Sequence, residues 1–373
     1  MSAVACQVFP SSQRDAYPSG SIIDFVMTSP GMNIALNSLR VSGILTVGGI
    51  PDATKQAFYD SSIGVHAFFN NLMVSTANQG VLENRSYYPR MVAMKRAATL
   101  ARGDIVTSAR SVPELVAGSD AATASFLCNR GTGNPIVNNG IAFSFAPEIC
   151  LNAAVSADGG LPVLDYGTTG DVRLSMRIVQ PAEALYGADV AAATTTISIS
   201  DLRLDWVALP VMAAKPSPVT MTIITEVKQV VASGQAQIAC AMPLDIVAMS
   251  GSFQLVANEL STLVANTALE RPPGVSRVYF QLNDVSNALV GFPLETAEDI
   301  LETWLASFPE SAALGKNDIT LARLSAGGVY GVGIAFAGAV QLASANFGIQ
   351  IVTGITGAAQ MYVYLMFRSY LTV

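Results

Sequence analysis

The chain holds a single histidine, His66, in the run "GVHAFFNN". A Ser-His-Asp or Cys-His arrangement would have to be built around it, because both need an imidazole to take the nucleophile's proton. Its neighbours are apolar, which reads as a histidine satisfied at the edge of a core or interface. The cysteines Cys6, Cys128, Cys150 and Cys240 show no CxxC spacing. Tetrahedral zinc sites draw on Cys and His at short spacings, so no metal site is read, and reduced thiols in a chain made inside a cell are the simpler reading. Paired carboxylates could serve glycoside hydrolysis. The best pair, Asp201 and Asp205, lies on an alternating strand with Arg203 and reads as a solvated face. "GGVYGVGIAFAG" has no GxGxxG opening a helix, so it offers no dinucleotide cradle. In a strand such glycines mark close backbone approach or a bend. The sequon Asn84-Arg85-Ser86 reads as chance, because "MSAVACQVFPSS" has no secretory leader pattern. No catalytic, cofactor-binding or metal-ligating residue is assigned, and the reading is of a chain that is not an enzyme.

One stretch is electrically lopsided. Arg85, Arg90, Lys95, Arg96, Arg102 and Arg110 stand against Asp104 alone, with Tyr87 and Tyr88 beside the first of them. It can face nucleic acid or an anionic lipid surface. The alternative is a solvated or inter-subunit salt-bridged surface. The whole chain is otherwise poor in charge: 13% of its 373 residues are Asp, Glu, Lys or Arg, against roughly 25% in an ordinary soluble domain. Its formal charge is −7. A surface with so few charges predicts cover by partners, which points to an oligomer or a shell.

The elements that would position these residues are mostly strands. Between Arg323 and Arg368 no side chain is charged. That run is broken by glycines and polar residues and has period two, with Val332, Ile334 and Phe336 alternating with small residues. It therefore reads as strands and not as a membrane helix, and its last strand, Tyr362 to Phe367, is apolar on both faces and predicts cover on both sides. Alternation recurs in Ile141–Asn152, Asp171–Gln180, Thr194–Pro210, Val219–Val231, Gly234–Met242 and Ser276–Asp284. The phase slips between Ile199 and Leu202, which predicts a bulge near Ser200. One helix is expected over "TAEDILETWLASFP", with Thr296 as N-cap, an apolar stripe through Trp304 and a stop at Pro309. A weaker helix candidate lies around Ile63–Met73, where helix and strand periods both fit partly. "LPVMAAKPSP", with three prolines in ten residues, marks a boundary between two β-rich halves.

The order of segments resembles a family, the double jelly-roll major capsid proteins of icosahedral, mostly double-stranded DNA viruses. It is most similar to the adenovirus, polinton-like virus and virophage branch. The residues that carry the resemblance are Tyr59–Met94, "FSFAPEICLNAA", "TTGDVRLSMRIVQPAEALYG" and "ISDLRLDWVALP" in the first half. In the second half they are "GSFQLVANELSTLVANTALERPPGVSRVYFQLND", the Thr296–Phe308 helix and the uncharged C-terminal strands. The resemblance implies an all-β chain of two tandem eight-stranded antiparallel jelly-roll sandwiches, with short helices in loops. Residues 1–19 would be an N-terminal extension, 20–210 the first roll, 211–218 a linker and 219–373 the second roll. It further implies a homotrimer of pseudo-hexagonal outline in a virion, in contact with neighbouring capsomers, penton and minor capsid proteins. The Arg85–Arg110 region would then touch genome or an internal membrane weakly. The short chain implies short loops. Two alternatives stand beside this: a single-jelly-roll capsid protein with a projecting β domain, which wants a basic arm, and a two-domain β-sandwich carbohydrate-binding protein, which wants exposed tryptophans.

Overall fold

The computed structural model describes residues 3–50, 57–60, 63–99, 140–187, 190–191, 193–211, 218–231, 237–241, 246–262, 264–275, 277–282, 294, 296–308, 321–325, 329–340, 346–352 and 358–371. The first half opens with β1 (Val4–Val8), β2 (Ala16–Pro18), β3 (Ile22–Met27) and the 17-residue β4 (Met32–Gly48). β5 (Phe58–Tyr59) leads to the hairpin of β6 (Phe69–Thr76) and β7 (Gly80–Arg85), then to helix α1 (Tyr88–Thr99). β8 (Ile141–Phe145), β9 (Ala154–Ser156), β10 (Val163–Leu164), β11 (Val172–Ile178), β12 (Leu185–Tyr186) and β13 (Thr196–Pro210) follow. The second half has β14 (Val219–Val231), β15 (Gln237–Ala241), β16 (Ile246–Leu255) and β17 (Arg277–Leu282). Helix α2 (Ala297–Ala306), β18 (Gly331–Val340), β19 (Asn346–Val352) and β20 (Ala359–Leu371) complete it.

Pairing is antiparallel throughout and the two halves repeat one plan. In the first, one sheet runs β1-β13-β4 with β8 on the far side of β4, and the other runs β3-β11-β6-β7. In the second, one sheet runs β14-β20-β16-β18 and the other β15-β19-β17, with Leu294 bridging to Val278 where β7 would stand. Strand for strand, in chain order, this is the same jelly-roll order twice. The first core closes between its sheets, where Phe69 of β6 stacks on Phe145 of β8 with centroids 5.3 Å apart.

Local sequence explains most of these elements. In β13, Leu202, Leu204 and Trp206 are buried while Asp201 and Arg203 are exposed. The expected bulge is present: the register to β4 shifts between Ser200 and Arg203, and Asp201 takes φ 50°. α2 starts on a reciprocal cap, with Thr296 Oγ1 accepting from Asp299 N at 3.1 Å and Asp299 Oδ2 accepting from Thr296 N at 3.3 Å. It lies on the outer face of β16 and β18, where a Cβ on Gly331 would overlap the Trp304 ring and one on Gly333 would meet Ser307 Oγ. These two glycines are therefore the close approach that the sequence predicts. β20 is buried on both faces, as its pattern requires, with Met361, Val363 and Leu365 on one side and Tyr362, Tyr364 and Met366 on the other.

Four details differ from expectation. Val4–Val8, assigned to an extension over 1–19, pairs with Leu204–Ala208 and is the edge of the first sheet. Ile63–Met73 is a 3-10 turn over Gly64–Phe68 running straight into β6, because Phe69 returns to extended backbone. The strand expected over Ile141–Asn152 ends at Phe145, just before Pro147, and a 3-10 turn takes Cys150–Asn152. β9 pairs with Val219–Met221 of β14, so the first half donates a strand to the second half's sheet. Its root is held by two asparagine side chains, Asn37 on the backbone of Ala154 and Asn152 on that of Leu39, each donating to the carbonyl and accepting from the amide. Residues 212–217 of the proline-rich boundary and Pro309 lie outside the described residues.

Candidate functional site

His66 and Cys150 are held in roles that leave them unreactive. His66 is fully buried; its Nδ1 is 2.6 Å from Tyr88 Oη and its Nε2 2.8 Å from Arg96 Nη2. A guanidinium can only donate, so Nε2 accepts and Nδ1 carries the proton toward the tyrosine. Burial and then the charge of Arg96 hold the imidazole well below its ordinary pKa, so it stays neutral. Burial likewise pushes the Cys150 thiol well up, away from nucleophilic use. Asp205 accepts from Ser42 Oγ at 3.3 Å and Arg203 Nε at 3.4 Å on a half-exposed face, while Asp201 points to solvent from the bulge. Trp206 and Trp304 are both buried. Among the described residues no three His, Cys, Asp or Glu side chains gather as metal ligands, and no helix is long and apolar enough to cross a membrane.

The arginine-rich stretch is the main correction. Arg85, Arg90 and Arg96 are buried, so they face neither a genome nor a membrane nor solvent. They lie inside the chain, at and beside the junction of the two rolls, while Arg102 and Arg110 lie outside the described residues. Arg90 on α1 donates to three carbonyl oxygens of the second half: Ala268 at 2.9 Å, Asn266 at 2.5 Å and Phe253 at 3.3 Å. Its guanidinium also lies 4.4 Å over the Tyr362 ring, which itself meets Tyr87 edge-on with centroids 5.0 Å apart. Arg85 is bonded to Glu83 and to the Glu148 carbonyl. Glu83 in turn accepts from Cys150 N at 2.8 Å and from Ile224 N, on β14, at 3.1 Å. A buried carboxylate with this many donors is compensated, and it ties β7 to the edge of the second roll.

A second carboxyl crosses the junction in the opposite direction. Glu226 on β14 accepts from Tyr87 N at 2.6 Å, and its other oxygen is buried with no partner among the described residues. Burial pushes this carboxyl up to about 7, partly offset by the Tyr87 N–H and the charge of Arg85. Outside these contacts, a cavity of about 640 Å³ lies on the outer face of the second roll's sheet, between α1 and the end of α2. Thr222, Phe308, Phe336 and Arg368 line it, and Lys95 sits at its wall 2.8 Å from Glu148. Burial raises the Glu148 carboxyl, but Lys95 and the other cationic groups around it, Arg96 among them, together more than offset this and hold it at about 2, so it stays a carboxylate. The arrangement fastens surfaces together: Glu226, whose carboxyl is held at about 7, is enclosed at the junction and accepts from the Tyr87 amide.

Composition alone reveals the arginines but not their acceptors, which for Arg90 are carbonyls more than a hundred residues away in the chain. Parity carries one signal of the junction. Glu226 shares its strand face with Thr222 and Ile224, so it had to point where those residues point.

No family model matches the chain, and no curated protein matches it in sequence. Solved structures match its fold. A chain of the Sputnik virophage particle is similar with a TM-score of 0.59 and 8% identity, over 99% of this chain and 86% of that one. The Faustovirus major capsid protein is similar with a TM-score of 0.53 and 10% identity, over 100% and 90%. The mavirus major capsid protein is similar with a TM-score of 0.51 and 9% identity, over 98% and 88%. The fold is a double jelly roll.

Proposed function

We propose that this chain is the major structural subunit of an icosahedral virus shell, and that its role is geometric and not catalytic. The observation that carries this reading is the same strand order built twice in one chain, with likeness to viral capsid chains over nearly its whole length. Two rolls side by side supply two of the six corners of a hexagon, so three chains close a pseudo-hexagonal capsomer. The scarcity of charge supports burial of further surface between copies. On this reading the first roll runs from Val4 to Pro210 and the second from Val219 to Leu371. The homotrimers contact neighbouring capsomers, penton and minor capsid proteins in the virion of a double-stranded DNA virus, and the chain is synthesised inside the host cell.

Light scattering of the purified full chain is expected to give the mass of three copies, and negative-stain electron microscopy particles of hexagonal outline. A well-folded monomer at micromolar concentration would overturn the capsomer reading.

A further inference from the structure

The internal junction is heterologous. Tyr87 and Arg90 of the first roll sit on the outer face of β14 and β20 of the second, and Glu83 of β7 bonds the rim of β14. In the shared plan β1 and β13 hold the places of β14 and β20, and α2 falls at the same point in chain order as α1. A head-to-tail contact between repeated units leaves one unused donor side and one unused acceptor face. The acceptor face is open in the single chain: Arg40 and Arg203 are exposed, whereas Tyr362 and Tyr364 on the equivalent face are buried. Arg203 pairs in register with Ser42 and Asp205 with Arg40, which sets the two guanidinium groups diagonally on neighbouring strands.

Charge supplies the second argument. α2 exposes Glu298 and Glu302 one turn apart on the stripe opposite its buried Ile300 and Trp304. At the internal junction the polarity is reversed, with Arg90 on the helix and Glu226 on the receiving strand. We propose that the outer face of β13 and β4 receives the α2 side of another copy's second roll, with Arg40 and Arg203 meeting Glu298 and Glu302. This rests on the capsomer reading above and names its contact surface. The two junction types then carry opposite polarity.

The test uses the full chain and a charge swap read by light scattering. Arg40→Glu with Arg203→Glu is expected to weaken trimer association about tenfold or more, and Glu298→Lys with Glu302→Lys to do the same. Combining all four substitutions is expected to restore trimers. All four positions are exposed, and circular dichroism melting checks that each variant folds. Where a reversal does not fold, the glutamine versions of the same residues serve, and they are expected to form weaker trimers with a shallower salt dependence. Wild-type trimers in both reversals, or weakening without rescue in the combination, would overturn the surface assignment and leave the trimer standing. A monomeric wild-type chain would overturn both.

Discussion

Glu226 shows how much one buried group can set. Its carboxyl has an ordinary pKa of 4.5 and is held at about 7 in the fold, chiefly by burial. A carboxyl raised on folding stabilises the fold while it is protonated. Its contribution is therefore complete below about 4.5 and disappears as pH rises through about 7. The gap corresponds to something of the order of 3 kcal/mol. Arg85, Glu83 and Tyr364 are the ionisable groups around it, and Arg85 alone opposes the loss. Melting followed from pH 5 to pH 8.5 is expected to drop by several degrees in the wild type and to stay flatter in Glu226→Gln, which keeps an acceptor for Tyr87 N. Parallel curves would remove Glu226 from this role. At this scale the sequence was partly legible. His66 among apolar neighbours, and Asp205 beside Arg203, were read as they stand. Arg85, Arg90 and Arg96 were not, because a charged side chain in a list does not disclose a carbonyl that folding brings to it.

Elements were legible where one face meets water. α2 declares itself through the Thr296 cap and a stripe ending at Trp304 and Phe308, because its opposite face is solvated. α1 has no such stripe. Tyr88 through Met94 are all buried, since the helix is covered on every side, and its arginines broke the apolar pattern further. β4 was missed for a related reason: Asn37 at φ 61° interrupts its alternation with a bulge that holds the root of β9. The glycines of β18 can be tested directly. Gly331→Ala is expected to cost about 1–3 kcal/mol, read from the urea midpoint, because the added methyl meets the Trp304 ring. In a Trp304→Phe background the same change should cost less, and strictly additive costs would show that the two do not touch.

Across the whole molecule, two rolls joined only by a short linker would be free to unfold apart. Here β9, Glu83, Arg90 and Glu226 all cross between them. Calorimetry of the unassembled chain is accordingly expected to give a single cooperative transition, and two resolved transitions would mean that these ties are weak. The doubled plan was visible in the order of segments, but the donated strand was not, since three residues carry too little pattern to reveal their partner. That strand has a further consequence. β14 would otherwise end its sheet with bare amide and carbonyl groups, the kind of rim onto which identical molecules stack without limit. Ala154–Ser156 seal its beginning and the Glu83 carboxylate takes the Ile224 amide beyond them. An edge closed in this way gives a concentrated solution of the chain no open rim from which fibres could grow.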